Sequence, residues 1–516
     1  MLFGPQKGSP FTIFDNFAGT FGVPITVVIL AAVFQNMSAL LENGIVLMIV
    51  VISPLYRLLT YFFTHYSVDE DTFHVKSGIF NKKELEIPLD RITTVDFTQN
   101  LIFQWAGVYS IKVDNASSYG GNGVGKVSLA LKKNDAVRFK ALLLSKKALK
   151  EKQEEKFSQI YRGKDYCAKI PVSENNVYDA QLDRIENSRK AVPAKNILIM
   201  GALQSKGNAV AQVISIAAVL AGMVNIIAGR DIGIEDTIMD LILSVTGIGI
   251  AGALILIFII LSTALGALFN LIKYYGFSIT NGEKSIYLEY GLFTKKNYSL
   301  LKEKISGAEF VQSLPMKFFG VGYLNVLAVG YGDVESVEKA MIYPLVSERK
   351  LYEFISEYIP EIKPPENKYE KPYRRSLRYF FICPRFIFLI MVFISAVLCE
   401  MKFGFIKNNL WFDWIWYVFI LLFILSLLSV IAEYKNTKIS CDKNNVHFVT
   451  GGFTRTLTVV KTDMIESVSD KAHRLKRTKG IVTIHMGIMA PEMDSSKRIR
   501  NMHLDAVESI KRVIHY

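Results

Sequence analysis

Two stretches of the sequence contain residue types from which chemistry could be built, and the first is a glycine-rich loop. Gly120 to Val127 (GGNGVGKV) nearly matches the phosphate-binding pattern GxxxxGK[ST]. Val127 occupies the position at which a hydroxyl would coordinate magnesium. The chain then continues as the alternating stretch VSLALK, whereas the motif must open a helix. The loop is therefore typical of a hairpin connection rather than of a nucleotide site.

The second stretch is basic and runs from residue 471 to residue 479 (KAHRLKRTK), between two predicted strands. Its cations could form a patch for anionic lipid headgroups or for an anionic partner. The same cations would also suit a solvated loop on the cytosolic side of a membrane. A second basic cluster stands just before an apolar run, where each cation adds about 1 kcal/mol of attraction to an anionic surface. The candidate patch residues are Arg374, Arg375, Arg378, Arg474, Lys476, Arg477 and Lys479.

No spacing in the sequence predicts catalysis, a cofactor or a metal. The seven histidines form no HExxH or HxH pattern, no GxSxG elbow is present, and the four cysteines form no CxxC pair. The apolar runs carry no acidic residue at their centres, whereas ion-coupled transport and intramembrane proteolysis need polar groups at depth. We expect no enzyme. We also expect no nucleic-acid partner, because no aromatic platform accompanies the basic residues.

The basic clusters must be positioned by apolar stretches, which dominate the composition. Hydrophobic residues make up 51% of the 516 residues, and the mean hydropathy is +0.27. A spanning helix needs about 20 apolar residues. Four runs without Asp, Glu, Lys or Arg meet that length, and two shorter ones complete three pairs. The runs are 16–41 and 43–56, then 207–229 and 241–272, then 386–399 and 414–432.

The distribution of Lys and Arg predicts the orientation of these six spans. The short connecting loops near 36–44, 230–240 and 400–413 hold only three of the 60 Lys and Arg residues. Because cytosolic segments are enriched in these cations, the remaining regions and both termini are expected in the cytosol. The sequence thus predicts a six-span membrane protein, with the bilayer as its first partner.

One pattern occurs three times, each time after a predicted helix pair. A glycine is followed two residues later by Phe. An isoleucine lies 12 residues after that Phe, and a second glycine lies 27 residues after the same Phe. Such spacing repeated three times indicates an internal repeat. The repeat residues are Gly78, Phe80, Ile92 and Gly107; Gly291, Phe293, Ile305 and Gly320; and Gly451, Phe453, Ile465 and Gly480.

Each repeat unit alternates apolar and polar residues, as at 108–113 and 127–132, which predicts half-buried strands. Each then closes with a helical pattern, at Asn134 to Lys156, Ser347 to Tyr358, and Leu504 to Ile514. Asn134 and Ser347 are candidate N-caps. The fold class is therefore α+β: three repeats of a transmembrane helix pair followed by a bent antiparallel sheet with a C-terminal capping helix.

The predicted domain order follows from these elements. Residues 1–18 form a cytosolic lead, of which 11–17 either lie in the membrane interface or begin the first helix. An apolar stretch at 192–203 predicts an interfacial helix within the first linker. The domains are helix pair 1 at 19–64, module 1 at 65–157, a linker at 158–206, helix pair 2 at 207–273, module 2 at 274–360, a basic Pro-rich linker at 361–378, helix pair 3 at 379–432 and module 3 at 433–516.

The repeat resembles the bacterial pleckstrin-homology-like family of multi-pass (YdbS/YdbT-like) membrane proteins. The resemblance rests on Tyr66, Gly78, Phe80, Pro88, Arg91, Ile92 and Gly107 of the first copy. It implies a PH-like fold, with a bent seven-stranded sheet and a capping helix. The first copy's stretch 88–91 is replaced at 301–304 and 461–464, so no ligand site common to the three copies is expected.

The resemblance implies no catalytic residues. It favours a non-enzymatic membrane protein whose cytosolic modules act in assembly or in binding a partner, either another membrane protein or a second copy. A role in envelope stress or defence is part of this expectation. The alternative is a lipid-handling or small-solute transport protein in which the modules act as cytosolic gates.

Overall fold

A computed structural model gives the fold of the chain. It describes residues 3–14, 55, 58–69, 72–78, 82–88, 92–115, 126–132, 136, 189–204, 248–282, 284–328, 339–382, 390–391, 393–394, 397, 413–490 and 495–514. These residues form two compact units. The first comprises Met1–Ala202 and Lys206–Leu301, and the second comprises Leu203–Ser205 and Lys302–Tyr516.

The first unit contains module 1 and the first half of module 2. Its elements are β1 (Phe3–Gln6), β2 (His65–Val68), β3 (Thr72–Ser77), β4 (Lys83–Pro88), β5 (Ile92–Gln99), α1 (Leu101–Ala106), β6 (Val108–Asn115), β7 (Lys126–Lys132), β8 (Arg189–Ala191), α2 (Ala194–Leu203), α3 (Ile248–Lys273), β9 (Ser278–Asn281), β10 (Ser285–Tyr290) and β11 (Lys295–Leu301). They form two antiparallel sheets, in the orders β1-β2-β3-β4 and β7-β6-β5-β11-β10-β9-β8.

The second unit contains the other half of module 2 and all of module 3. Its elements are β12 (Ile305–Gln312), α4 (Leu314–Phe318), β13 (Val321–Ala328), β14 (Ala340–Ser347), α5 (Leu351–Tyr358), α6 (Leu377–Phe380), α7 (Asp413–Asn436), β15 (Lys438–Cys441), β16 (Asn445–Thr450), β17 (Arg455–Lys461), β18 (Ile465–Lys471), α8 (Arg474–Arg477), β19 (Ile481–Ile488), β20 (Ser496–His503) and α9 (Leu504–Ile514). The sheets run β14-β13-β12-β17-β16-β15 and β18-β19-β20.

The two long sheets cross the boundaries between modules. In the first unit, β11 of module 2 pairs with β5 of module 1; in the second, β17 of module 3 pairs with β12 of module 2. Both junctions have the same register, because Lys295 faces Gln99 and Arg455 faces Gln312. In each case the residue two after the repeat Phe faces the residue seven after the repeat isoleucine. Successive modules are therefore joined by main-chain strand pairing.

The alternation in the strands gives each module an apolar interior. Module 1 buries Val68, Phe73, Ile87 and Ile111 in one cluster. In module 3, inward residues of β15 to β20 form a larger cluster with the amphipathic face of α9, of which Ala506, Val507 and Ile510 are buried. Leu327 of module 2 also belongs to that cluster, so the core, like the sheet, extends past the module boundary.

Two different structural constraints explain why the repeat has glycine at its regular spacing. Gly291 and Gly451 open a turn at φ of 110° and 100°, and a Cβ there would overlap the carbonyl oxygens of Thr294 and Thr454. Gly107, Gly320 and Gly480 lie at φ of 63–67° with open space around them, so backbone conformation alone explains them. These positive φ angles explain why the repeat has glycine at these positions.

Several element predictions are confirmed and one is wrong. Helix α9 occupies the predicted residues 504–514, and strands β6 and β7 coincide with the alternating runs. Ser347 is extended but makes no side-chain capping bond, and a 3-10 turn at 348–350 precedes α5. Its predicted N-cap role is therefore wrong, because that turn separates the serine from the α-helix. Asn134 and almost all of its predicted helix lie outside the described residues.

The predicted first pair of spans, the 207–229 span and the three connecting loops lie largely or wholly outside the described residues. Helices α3 and α7 overlap the predicted second spans of pairs 2 and 3. Within the part of the chain that is described, no helix has both the length and the hydropathy needed to cross a membrane. The six-span architecture stays a prediction.

The segment upstream of each module contributes to that module's sheet. In the first unit, β1 pairs with β2 and β8 pairs with β9. In the second unit, Glu370 forms a single antiparallel bridge with Ile439 of β15. The lead and both linkers therefore carry an additional strand or bridge, which the sequence analysis did not predict.

Candidate functional site

The two basic clusters predicted from the sequence come together on module 3, on α6, α8 and the turn before α6. Residues 374–376 form a 3-10 turn that leads into α6, and α6 contacts β20 and α7. Helix α8 follows β18 and has His473 as its N-cap, whose ring nitrogen accepts a hydrogen bond from the Leu475 amide at 3.4 Å. We call this group of cations, with Arg498 and Arg500 of β20, the basic surface.

The ring of Tyr379 connects the two clusters. The Arg378 guanidinium lies 5.1 Å from the ring centroid, and the Lys476 ammonium lies 5.2 Å from it. Both distances suit cation–π contacts. Tyr379 is buried, and Lys476 also donates to the Asn501 side-chain oxygen at 3.0 Å. The aromatic ring thus holds together cations that are about 100 residues apart in the chain.

A buried ion pair connects the basic surface to α7. Arg500 donates to the Glu433 carboxylate at 2.9 Å, and its guanidinium lies 5.8 Å from the Phe380 ring. Phe380 in turn contacts Tyr434 edge to face, with ring centroids 5.7 Å apart. Because Glu433 and Tyr434 lie in the last turn of α7, the basic surface adjoins the C-terminal end of that helix.

The electrostatics of the basic surface are those of a site with excess positive charge. Burial lowers the pKa of the Lys476 ammonium, and the neighbouring Arg500 and Arg498 lower it further. Arg477 lies 3.7 Å from Asp470. No carboxylate among the described residues lies within 4 Å of the exposed residues Arg374, Arg375, Arg378, Arg474 and Lys479. These cations are available to phosphate or carboxylate groups of a ligand.

Tyr379, Arg498 and Arg500 belong to the basic surface but were missed by the sequence analysis. Arg498 and Arg500 alternate with apolar residues in β20, and this period-two spacing could have placed them on one face. Of the other candidate residues, Gly480 adjoins this surface, because its amide donates to the Arg477 carbonyl at 3.0 Å at the end of α8. Phe80 and Arg91 lie outside the described residues, and so does the Ile92 side chain.

A second polar site lies on the β12–β17 junction of the second unit. It is a cleft of about 280 Å³ whose lining includes Glu309, Lys339, Lys497 and Arg498. Glu309 is buried, and its two carboxylate oxygens accept bonds of 2.7 Å from Lys339 and Lys497. This arrangement compensates the charge of a buried carboxylate, and it links Lys339 of module 2 with Lys497 of module 3 through Glu309.

The comparisons with known proteins agree with the repeat. The family model described as "Bacterial PH domain" matches three times, at residues 23–147, 210–358 and 386–516. The chain belongs to the bacterial PH domain family. Each match begins in a predicted helix pair and ends in or after a sheet module, so the family unit coincides with the repeat unit. No solved structure matches the chain.

One curated relative matches a large part of the chain. It is the UPF0699 transmembrane protein YdbT of Bacillus subtilis (strain 168), which is 23% identical over 321 residues. The match spans 61% of this chain and 60% of the relative. As a member of the bacterial PH domain family with such a relative, the chain is YdbT-like. The family assignment itself names no ligand, because PH-like folds serve many functions.

Proposed function

We propose that this chain is a multi-pass membrane protein without enzymatic activity of its own, whose PH-like modules act in protein assembly and partner binding. The observation that carries the proposal is the pairing of successive modules through strands β5–β11 and β12–β17 in one register. An open strand edge is a ready template for main-chain hydrogen bonds. The chain already uses that edge twice as a binding surface.

The membrane part of the proposal rests on the six uncharged apolar runs and on the name of the relative as a transmembrane protein. The proposed topology has six spans in a bacterial plasma membrane, with the modules and both termini in the cytosol. A setting in envelope stress or defence rests on the family resemblance alone.

The partner surface that fits best is the outer edge of β18. This strand occupies the position of β5 and β12 in the repeat, but among the described strands only β19 pairs with it. A second copy would offer β4, the counterpart of β11 and β17. In the register of the two junctions, Asp470 would then face Glu84. Lys471 would face Lys83. Directly opposed like charges destabilise a strand pair. Arg477 lies beside Asp470 and Lys76 beside Glu84, so the cost falls mainly on the two opposed lysines, and it favours a different protein as the partner.

The test is the composition of the protein purified from its native membrane in mild detergent. We expect a second protein in fixed stoichiometry, measured by native mass spectrometry and light scattering. Reversing the two edge charges, with Asp470→Lys and Lys471→Glu, should release that protein and allow copies to associate through β4. A monomer without a partner, for both the wild-type chain and the variant, would contradict the proposal.

A lipid-handling or transport function with the modules as gates is the second candidate, and the basic surface favours it. Its unpaired cations adjoin the end of α7, where lipid headgroups would lie if α7 spans a bilayer. An anionic lipid or solute should then cross the membrane of vesicles that contain the protein faster than it crosses the membrane of protein-free vesicles. Equal rates would remove this candidate without affecting the assembly proposal.

A further inference from the structure

Two short helices present a large aromatic side chain to the exterior at the same position in the repeat. Trp105 of α1 and Phe318 of α4 each follow the repeat isoleucine by 13 residues, and they are 88% and 85% exposed. Leu101, Leu314 and Phe319 beside them are more than half exposed. Trp and Phe side chains are seldom so exposed. Their exposure at the same repeat position in two modules indicates that an apolar partner covers them.

In the first unit, hydrogen bonds place α1 beside the end of α3. The Gln104 side chain donates to the carbonyls of Leu292 and Phe293 at 3.3 and 2.9 Å. The Leu292 amide donates to the Ile272 carbonyl, in the last turn of α3, at 3.1 Å. Phe293 is itself about half exposed. The exposed side chains of α1 and of this turn therefore adjoin the C-terminal end of α3.

The second unit repeats this placement with different contacts. Lys317 of α4 donates to the side-chain oxygen of Asn436, the last residue of α7, at 3.0 Å. The Asn436 amide donates to the carbonyls of Gly451 and Gly452, at 2.8 and 2.9 Å. Helix α4 is thus tied to the end of α7 and to the turn between β16 and β17, as α1 is tied to the turn between β10 and β11 beside the end of α3.

Next to these short helices, α3 and α7 expose apolar side chains and then a basic side chain at the C-terminal end. The last turns of α3 expose Leu268 and Phe269, and α7 exposes Leu425 and Leu428. Each helix has a lysine in its last turn, Lys273 or Lys435. Apolar side chains that meet lysine and aromatic residues at a helix end are the pattern of a bilayer interface. A lipid surface therefore fits better than a protein groove.

We propose that α1 and α4 insert Trp105, Phe318 and Phe319 into the boundary between headgroups and acyl chains, each beside its own helix, α3 or α7. The proposal rests on the proposed membrane function. In module 3 the equivalent helix α8 carries Arg474, Lys476 and Arg477, and Thr478 takes the aromatic position. This third helix contacts headgroups by charge instead of inserting rings.

The test is tryptophan quenching by brominated lipids in vesicles that contain the full chain. The difference between the wild-type chain and Trp105→Phe isolates the emission of Trp105. Phe318→Trp reports on α4, and Lys443→Trp is its matched control in the same unit. Lys443 is exposed in the turn after β15, so it lies about four strand residues, roughly 13 Å, beyond the end of α7.

We expect blue-shifted emission at Trp105 and at the tryptophan introduced by Phe318→Trp. Lipid brominated near the headgroup end of its chains should quench both about twofold or more, because interfacial side chains lie within about 5–10 Å of that depth. The tryptophan introduced by Lys443→Trp should not be quenched.

Unquenched emission from Trp105 would overturn the proposal, even if the emission is blue-shifted, because a protein surface would then cover the ring. The Trp105→Phe variant retains Trp411, Trp414 and Trp416 of the third helix pair. If these are quenched and Trp105 is not, the interfacial insertion fails and the membrane function stands. If none of them is quenched, both the insertion and the membrane function fail.

Discussion

Gly307 gives the sharpest test of strand pairing between modules, because the approach of β17 leaves no room for a side chain there. A Cβ at Gly307 would overlap the Val459 carbonyl oxygen and would lie 3.1 Å from the Val460 Cα. The φ of Gly307 lies outside the left-handed region, so the contact alone resists substitution. In Gly307→Ala the two strands must separate at this end of their six-pair ladder.

The loss can be estimated from the ladder. Separation at Gly307 should break two or three backbone hydrogen bonds at about 1 kcal/mol each, which gives a loss of about 2–4 kcal/mol once strain is included. Since 1.36 kcal/mol corresponds to a tenfold change, protection of β12 and β17 from hydrogen exchange should fall about 30- to 1,000-fold. Hydrogen exchange measured by mass spectrometry on peptides 305–312 and 455–461 gives this quantity.

Ser467→Ala is the matched control. Ser467 occupies the same repeat position in β18, and among the described strands none lies beyond it. This change should leave the protection of β18 within about threefold of the wild-type value, because a surface substitution costs about 0.5 kcal/mol or less. Equal protection of β12 and β17 in Gly307→Ala and in the wild-type chain would refute the junction.

Three further outcomes are expected. Burial lowers the pKa of His447 to about 4 from 6.5. The stability that its neutral form contributes is therefore present above pH 6.5 and is lost as the pH falls toward 4, by up to about 3 kcal/mol. His447→Gln should flatten the dependence of the melting temperature on pH over that window, and an unchanged profile would contradict this. Arg500→Ala should lower the unfolding free energy by about 2–4 kcal/mol because it removes the 2.9 Å ion pair of the buried Glu433 carboxylate, and adding Glu433→Gln should restore part of the loss in thermal unfolding. Arg474→Glu with Lys479→Glu should lower the retention of anionic lipid in native mass spectra about tenfold or more, since each cation near a surface contributes about 1 kcal/mol, and unchanged retention would indicate a solvated loop.

The sequence predicted those features that depend on periodicity. The alternation in 108–113 and 127–132 became β6 and β7, and the apolar stripe of 504–514 became α9, since each pattern specifies which face is buried. Charge clustering also identified most of the basic surface. It could not show that the two clusters meet, because Tyr379, which joins them, is an ordinary aromatic residue in sequence.

The sharing of sheets between modules could not be predicted in the same way. Period-two alternation indicates which face of a strand is buried but not which strand lies along its edge. A signal was present, because copies one and two have Phe and Gln at the junction, at Phe97 and Gln99 and at Phe310 and Gln312. Both glutamines are buried and bond a carbonyl of the following strand. Copy three has Asp470 and Ala472 at these positions.

The additional strands β1 and β8 were even harder to predict from the sequence. Each has only three or four residues, and Arg189–Ala191 is basic and exposed, without alternation. Such segments pair through main-chain groups on an edge that the module already offers, so their side chains carry little information. The bridge at Glu370 belongs to the same class.

The central claim is that successive modules share one sheet, and disulfide trapping tests it most directly. Val311 and Thr456 are direct partners across β12 and β17, so their side chains lie next to each other on one face of the sheet. Cysteines are introduced at both positions in a chain whose four native cysteines are replaced by serine. The chain is then cleaved at an engineered site in the 363–373 linker. A disulfide between the two introduced cysteines should keep the two fragments joined. The control pairs Val311→Cys with Leu457→Cys, one residue out of register and on the opposite face. Joined fragments in the first variant and separate fragments in the control are the predicted result, and separate fragments in both would contradict the claim.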